Sequence, residues 1–451
     1  MEREQFGSRL GFILLSAGCA IGLGNVWKFP YLTGANGGGA FVVVYLFFLA
    51  VLGIPVMTME FAMGRAARKS PVRMYQALAP KKKGWHIHGI ACLIGNVMLM
   101  MFYCMVAGWI LLYFWKMATG AFEGADPEAI GGMFTGMLGD PVQMTIAMAI
   151  IVVAGFFICS RGLQKGIEKV TKVMMILLLV IMVVLAINSA FLPGGREGLR
   201  FYLLPDFSKM AEAGFGSVVL AAMNQAFFTL SLGIGSMAIF GSYIDKSHTL
   251  LGESVNVAVL DTFVAITSGL IIFPACFAYG VQPDAGPGLI FVTLPNIFNN
   301  MAGGRIWGSL FFVFMTFAAF STVLAVFENI MACIMDLTGW NRNTTGLVCT
   351  IAMLILSMPC LLGFNVLSSV QPMGPGSGIM DLEDFIVSNI LLPVGSLLFV
   401  LFCTWKYGWG WKAFKEEANT GNGLKIVDGM RIYMTFILPA IVIVVLLFSL
   451  F

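Results

Sequence analysis

The chain has 451 residues, 59% of them hydrophobic and 11% charged, with a mean hydropathy of +0.90 and a formal net charge of +3. Soluble domains carry about 25% charged residues, so a soluble globular fold is excluded, and so small a net charge implies no nucleic-acid partner. The nine cysteines fall in apolar runs without paired spacing, which excludes a disulfide or zinc framework.

A bilayer core takes about 20 apolar residues per helix. On that criterion spans are predicted at 11–33, 38–66, 88–118, 143–159, 167–191, 216–243, 255–280, 306–336, 345–363, 384–405 and 430–451, eleven in all. The first is too long for a signal-peptide core and contains Gly22, Gly24, Asn25 and Lys28, so it reads as a retained span. The glycine-rich stretch 120–141, with Asp126, Glu128 and Asp140, reads as an external loop. Residues 281–304 read as an external connection whose short apolar helix, Leu289–Phe298, forms a reentrant cap. Basic residues fall 20 on the side of the N-terminus and the even-numbered loops and five on the other side, with Lys28 inside the first span. That bias places the N-terminus in the cytoplasm, and an odd span count places the C-terminus outside a plasma membrane.

Two spans are interrupted at matching positions. The first contains Gly18-Cys19-Ala20-Ile21-Gly22-Leu23-Gly24-Asn25 and the sixth Phe228-Thr229-Leu230-Ser231-Leu232-Gly233-Ile234-Gly235-Ser236. A lone glycine in a membrane helix usually serves close packing. Paired clusters beside Asn25 and Thr229 instead predict unwound backbone, which at bilayer depth is tolerated only where it lines a cavity or holds an ion. Of the intramembrane acids, Glu60 and Glu328 read as polar side chains satisfied by neighbouring helices, and Asp261 and Asp384 as functional. Ser321 and Thr322 would by default bond back to their own helix. The sequence has no HExxH, Walker A or Gly-x-Ser-x-Gly motif and no filter-like ring, so neither an enzyme nor a channel is expected.

The run Gly18 to Tyr31 with Trp27-Lys28-Phe29-Pro30, then Asn36-Gly37-Gly38-Gly39-Ala40-Phe41, resembles the neurotransmitter:sodium symporters. So do Gly53-Ile54-Pro55, Glu60, Met63-Gly64-Arg65, the stretch Arg161–Lys169 and Phe227-Phe228-Thr229-Leu230-Ser231. The resemblance runs from residue 3 to about 405, and the bacterial amino-acid branch fits best. It implies an all-α membrane protein of eleven transmembrane helices, a 5+5 inverted repeat of the bacterial leucine transporter type with helices 1 and 6 discontinuous. The whole of 1–451 would be one transporter domain, with repeats at 10–191 and 216–405 and an eleventh helix at 430–451.

Carried over by residue, the resemblance implies two Na⁺ sites. The first would use the Ala20 carbonyl, Asn25, Thr229 and, on the seventh span, Asp261. The second would use the carbonyls of Gly18, Ile21 and Ala318 with the hydroxyls of Ser321 and Thr322. Sodium is a hard cation, and these are oxygen ligands. Asp261 stands where relatives commonly carry asparagine and Ala265 where chloride-dependent members carry serine, although Tyr45 and Gln225 of the chloride site remain. Transport is therefore expected to be chloride-independent, with Asp261 supplying the negative charge.

Gly22 stands where monoamine members carry aspartate, leaving room for a substrate carboxylate against Leu23, Gly24 and the Tyr103 hydroxyl. The implied side-chain pocket is Leu99, Tyr103, Phe228, Ser231, Ile234, Thr322, Ala325 and Val326, which suits hydrophobic or aromatic L-amino acids. Lys28 and Asp384 would face each other as an external gate, and Arg3, Phe6, Tyr243 and Asp336 resemble the cytoplasmic one. Ile176 replaces a proline that helps helix 5 of relatives unwind. The expected partners are the amino acid and the lipid bilayer, with no obligatory protein partner. A non-transporting amino-acid sensor of the same fold is the alternative, disfavoured by the lack of a signalling domain in this sequence.

Overall fold

A computed structural model describes residues 4–81, 84–281 and 288–450. Among these residues every named element is helical, and the only β pairing is two isolated bridges, Gly38 with Pro205 and His248 with Asn422. In chain order the helices that matter are α1 (Arg9–Ala20), α2 (Gly24–Ala35), α3 (Gly39–Ala67), α4 (His86–Ala118), α5 (Pro127–Leu138), α6 (Pro141–Ser160) and α7 (Leu163–Ala190). There follow α8 (Phe215–Thr229), α9 (Ser236–Gly241), α10 (Leu250–Ala278), α11 (Leu289–Asn299), α12 (Gly304–Thr338), α13 (Arg342–Leu362), α14 (Ile379–Thr404), α15 (Trp411–Ala418) and α16 (Met430–Phe448). Nine of the described helices are long and apolar enough to cross a membrane, or ten if the bent pair α1 and α2 is one span.

The side-chain distribution is that of a protein solvated by lipid. Ile146, Ile150, Val153 and Phe157 on α6, and Ile351 and Ile355 on α13, point outward, while Asn25, Glu60, Asp261 and Glu328 are fully buried. Hydrocarbon accepts the first set, and only neighbouring helices can satisfy the second.

Local chemistry places the helix ends. The Ser8 hydroxyl accepts from the Gly11 amide to start α1, and Asp140 accepts from Val142 and Gln143 with Pro141 in the first turn of α6. The α1–α2 pair bends by 53° across Ile21–Leu23. Between α8 and α9 the chain leaves helical geometry, with Ser231, Gly233 and Gly235 at φ of 51°, 93° and 72°. A left-handed φ is costly for any residue with a Cβ, so Ser231 marks a strained turn.

One reading of the sequence needs correction. Residues 127–138, expected as plain loop, form α5. The Asp126 carboxylate accepts from the Ala129 amide, Pro127 opens the helix, and Ile130 and Met137 are buried beneath it. Its glycines masked a proper start signal. The connection after α10 does carry an apolar helix, α11, whose Leu289, Ile290, Phe291 and Leu294 are buried; residues 282–287 lie outside the described residues. Helix α7 runs unbroken past Ile176, its only irregularity being a π-helical turn at Leu163–Glu168.

Candidate ion and substrate site between two helix breaks

The two breaks meet at the centre of the bundle. Asn25, at the start of α2, donates from Nδ2 to Asp261 Oδ1 at 2.8 Å and to the Asp261 carbonyl at 3.2 Å, while its Oδ1 accepts from the Gly22 amide at 3.2 Å. Thr229, the last residue of α8, donates to both Asp261 carboxylate oxygens at 3.3 and 3.2 Å. Ser268 on α10 donates to the Asn25 carbonyl at 2.7 Å, and Gln225 on α8 donates to the Gly24 carbonyl at 2.8 Å. Asp261 is fully buried, and among the described residues no basic side chain lies within ion-pair distance of it. A buried carboxylate facing amide and hydroxyl groups alone is half of an ion pair, and the donor set suits a small hard cation.

A second oxygen cluster joins α1 to α12. Thr322 Oγ1 lies 3.2 Å from the carbonyls of both Gly18 and Ile21 and 3.5 Å from that of Ala318. Ser321 Oγ lies 3.4 Å from the Ile21 carbonyl and 2.9 Å from that of Ala318. Ile21 begins the break, so its carbonyl is free of the helix ladder. Five neutral oxygens thus converge with no net charge among them.

Between the clusters lies a small cavity of about 20 Å³, lined by Cys19, Ala20, Gly22, Leu23, Gly24, Leu99, Tyr103, Phe228, Ser231, Ile234, Thr322 and Leu392. A methyl group on Gly22 would collide with the Tyr103 and Thr322 hydroxyls, so only glycine fits there. The Tyr103 hydroxyl accepts from the freed Leu23 amide at 3.0 Å. Tyr103 and Phe228 separate this cavity from a vestibule of about 290 Å³, which Trp27, Tyr31, Phe102, Val106, Met380 and Asp381 also line. Lys28 sits in that vestibule, 3.6 Å from Asp384 and 4.0 Å from the centre of the Phe228 ring.

Ten of the thirteen expected substrate residues line the small cavity. Thr229 belongs instead to the Asp261 cluster, and Ala325 and Val326, though fully buried on α12, do not reach the cavity wall. Cys19 and Leu392 line it without having been expected. Cys19 lies inside the interrupted motif and could have been read from it, whereas Leu392 comes from the distant α14 with no local signal.

At the opposite end, Phe6 and Tyr243 meet edge to face at 5.9 Å, and the Phe6 amide donates to the Tyr243 carbonyl. The Tyr243 hydroxyl donates to Glu328 at 2.6 Å. Arg342 pairs with Glu328 at 2.7 Å and with Glu4 at 2.8 Å. Asp336 accepts from the Ser70 amide and hydroxyl, and Arg3 lies outside the described residues. Further packing on this side was not anticipated. Glu168 accepts from the Gly7 amide and the Ser8 hydroxyl, and buried Arg65 pairs with Glu417 at 2.6 Å while donating to the His248 carbonyl.

A model of the sodium:neurotransmitter symporter family matches residues 3–125 and 133–451. A sodium-dependent transporter of Bacillus subtilis, YhdH, is 34% identical over 98% of this chain and 97% of its own length. Another from Haemophilus influenzae is 30% identical over 100% and 99%. The crystal structure of MhsT in complex with L-phenylalanine superposes with a TM-score of 0.89 at 40% identity, covering both chains completely.

Proposed function

The chain belongs to the sodium:neurotransmitter symporter family, a family of sodium-dependent multi-pass membrane transporters, and we propose that it imports hydrophobic or aromatic L-amino acids with Na⁺ and without chloride. The observation that carries this reading is Asp261, a buried carboxylate with no basic partner among the described residues, held by one group from each helix break. In this reading the carboxylate supplies at the first Na⁺ site the charge that a chloride ion would otherwise bring. Gln225, one of the residues retained from a chloride site, has its amide already engaged by the Gly24 carbonyl. The second Na⁺ is held by the five neutral oxygens of α1 and α12.

The substrate carboxylate is placed against the first ion, the Leu23 and Gly24 amides and the Tyr103 hydroxyl, where unwound backbone presents its positive end. Its side chain occupies the apolar part of the cavity, which has no charge to neutralise a lysine, arginine or acidic side chain. That MhsT holds phenylalanine on the same fold supports an apolar substrate. The remaining architecture follows the family expectation. Eleven helices form a 5+5 inverted repeat, α8 and α9 being the two halves of the sixth, with the N-terminus in the cytoplasm of a plasma membrane and the C-terminus outside. The Lys28–Asp384 side is then external, and Phe6, Tyr243, Asp336 and Arg3 close the internal side.

Two Na⁺ moving with a zwitterion carry two charges, each worth about 2.3 kcal/mol at about 100 mV. With a tenfold sodium gradient the total is about 7 kcal/mol, a limiting accumulation near 10⁵-fold. Radiolabelled leucine and tryptophan uptake into proteoliposomes tests the reading, with an inward Na⁺ gradient and chloride replaced by gluconate. Na⁺-dependent accumulation in gluconate is expected. Collapse in gluconate would overturn the role given to Asp261, and binding without accumulation would make the protein a sensor.

A further inference from the structure

Between α8 and α9 the regular helical ladder is interrupted; the Ser231 and Leu232 amides still reach backbone carbonyls, and other backbone groups of the stretch take side-chain partners. Asn96 of α4, buried at 1% exposure, takes much of that load. Its amide nitrogen donates to the Ile234 carbonyl at 2.7 Å and to the Cys92 carbonyl at 2.7 Å, and its amide oxygen accepts from the Ser236 hydroxyl at 3.1 Å. Ile234, the residue so gripped, lines the cavity, whereas Asn96 does not. The preceding residue, Gly95, completes the arrangement, since a methyl group there would stand 2.8 Å from Ile234 Cγ2. Helix α4 therefore holds the backbone of Ile234 at one position and makes room for its side chain at the next.

We propose that Asn96 is a positioning residue that fixes Ile234, and through it the depth of the substrate side-chain pocket and the sizes of amino acid accepted. The inference rests on the amino-acid reading above. Asn96 contributes to neither oxygen cluster, so its effect falls on substrate size and not on Na⁺. Without its donor the Ile234 carbonyl has no helix to return to and the loop shifts. Ile234 then no longer rewards a well-fitting side chain or rejects a poor one. The nearest anchors that remain are one residue away, the Gly233 amide on Glu60 at 2.6 Å and the Cys92 thiol on the Gly233 carbonyl at 3.7 Å.

The test compares kcat/KM for valine, leucine, phenylalanine and tryptophan in proteoliposomes, together with KM for Na⁺. Asn96→Ala and Asn96→Asp, which remove the donor, are expected to compress the spread between best and worst substrate about tenfold, the scale on which apolar pockets discriminate a methylene. Na⁺ KM should stay within about twofold. Ser236→Ala, which leaves the donor on Ile234, should keep the wild-type order. Gly95→Ala presses Ile234 toward the cavity and should shift preference toward smaller side chains. An unchanged spread in Asn96→Ala overturns the proposal, as does a uniform loss for all four substrates with a raised Na⁺ KM. If Asn96→Ala does not reach the membrane, Gly95→Ala decides, and an unaltered size order there overturns the proposal. A wild type that carries none of the four amino acids sinks the amino-acid reading itself, and that arm separates the two failures.

Discussion

The two mouths of the central cavity are closed by different means. On the Lys28 side the barrier is two rings, Tyr103 and Phe228, and a 3.6 Å ion pair whose members are 31% and 39% exposed. On the N-terminal side Glu328 has no exposed surface. It takes Arg342 and the Tyr243 hydroxyl, while Glu4 and Glu168 pin residues 4–8 across the start of α7. Nearby, Arg65 ties α3 to α15 and to the loop after α9. A solvated pair is worth about 0–1 kcal/mol, whereas breaking a buried one strands a charge at about 3–5 kcal/mol. The structure is thus shut by a thin door on the Lys28 side and a thick wall on the N-terminal side.

Four substitutions sharpen or break this contrast. Arg342→Ala leaves Glu328 buried and unpaired and should lower the stability of the N-terminal closure by about 3–5 kcal/mol. Thiol labelling of a cysteine placed at Phe6 should then rise steeply, and unchanged labelling would show that the wall lies elsewhere. Glu417→Gln keeps the shape but weakens the Arg65 bridge, since a charged hydrogen bond is worth about 1.5–3 kcal/mol. A fall in thermal midpoint with a smaller rise in the same labelling is expected. Tyr103→Phe removes one hydrogen bond to the Leu23 amide and should raise substrate KM by a factor corresponding to about 1 kcal/mol, read from uptake kinetics. Lys28→Ala should do least, within about 1 kcal/mol in uptake, and its effect should fade in high salt. If Lys28→Ala exceeded Arg342→Ala, the contrast would be reversed.

Nine or ten of the eleven expected spans appear among the described residues, and these were legible because lipid demands long apolar runs. The core of the site was legible for a related reason. Gly18 to Asn25 and Phe228 to Ser236 are contiguous motifs, and unwinding leaves local marks in glycine and small polar residues. What escaped depends on contacts between distant segments. Leu392 reaches the cavity from α14, and nothing in its own neighbourhood distinguishes it from any other lipid-compatible leucine. Ala325 and Val326 follow Thr322 on the same helix, but the cavity ends before their turn, a matter of depth that helical phase does not encode. Glu328 was read as satisfied by its neighbours, which it is, but its partners Arg342 and Tyr243 emerge only from packing. Residues 127–138 were missed because glycine content outweighed an Asp-Pro start.

In the two-Na⁺ reading proposed above, the carboxylate of Asp261 also decides where the membrane voltage acts. With a fixed negative charge at the site, the carrier loaded with two Na⁺ and a zwitterion bears a net positive charge, and the empty carrier a net negative one. One elementary charge then crosses the field on each half of the cycle, about 2.3 kcal/mol per 100 mV apiece. A neutral residue at that position would load both charges onto the inward stroke and leave the return stroke indifferent to voltage. In that reading the aspartate makes the potential pull the cargo in and push the empty protein back.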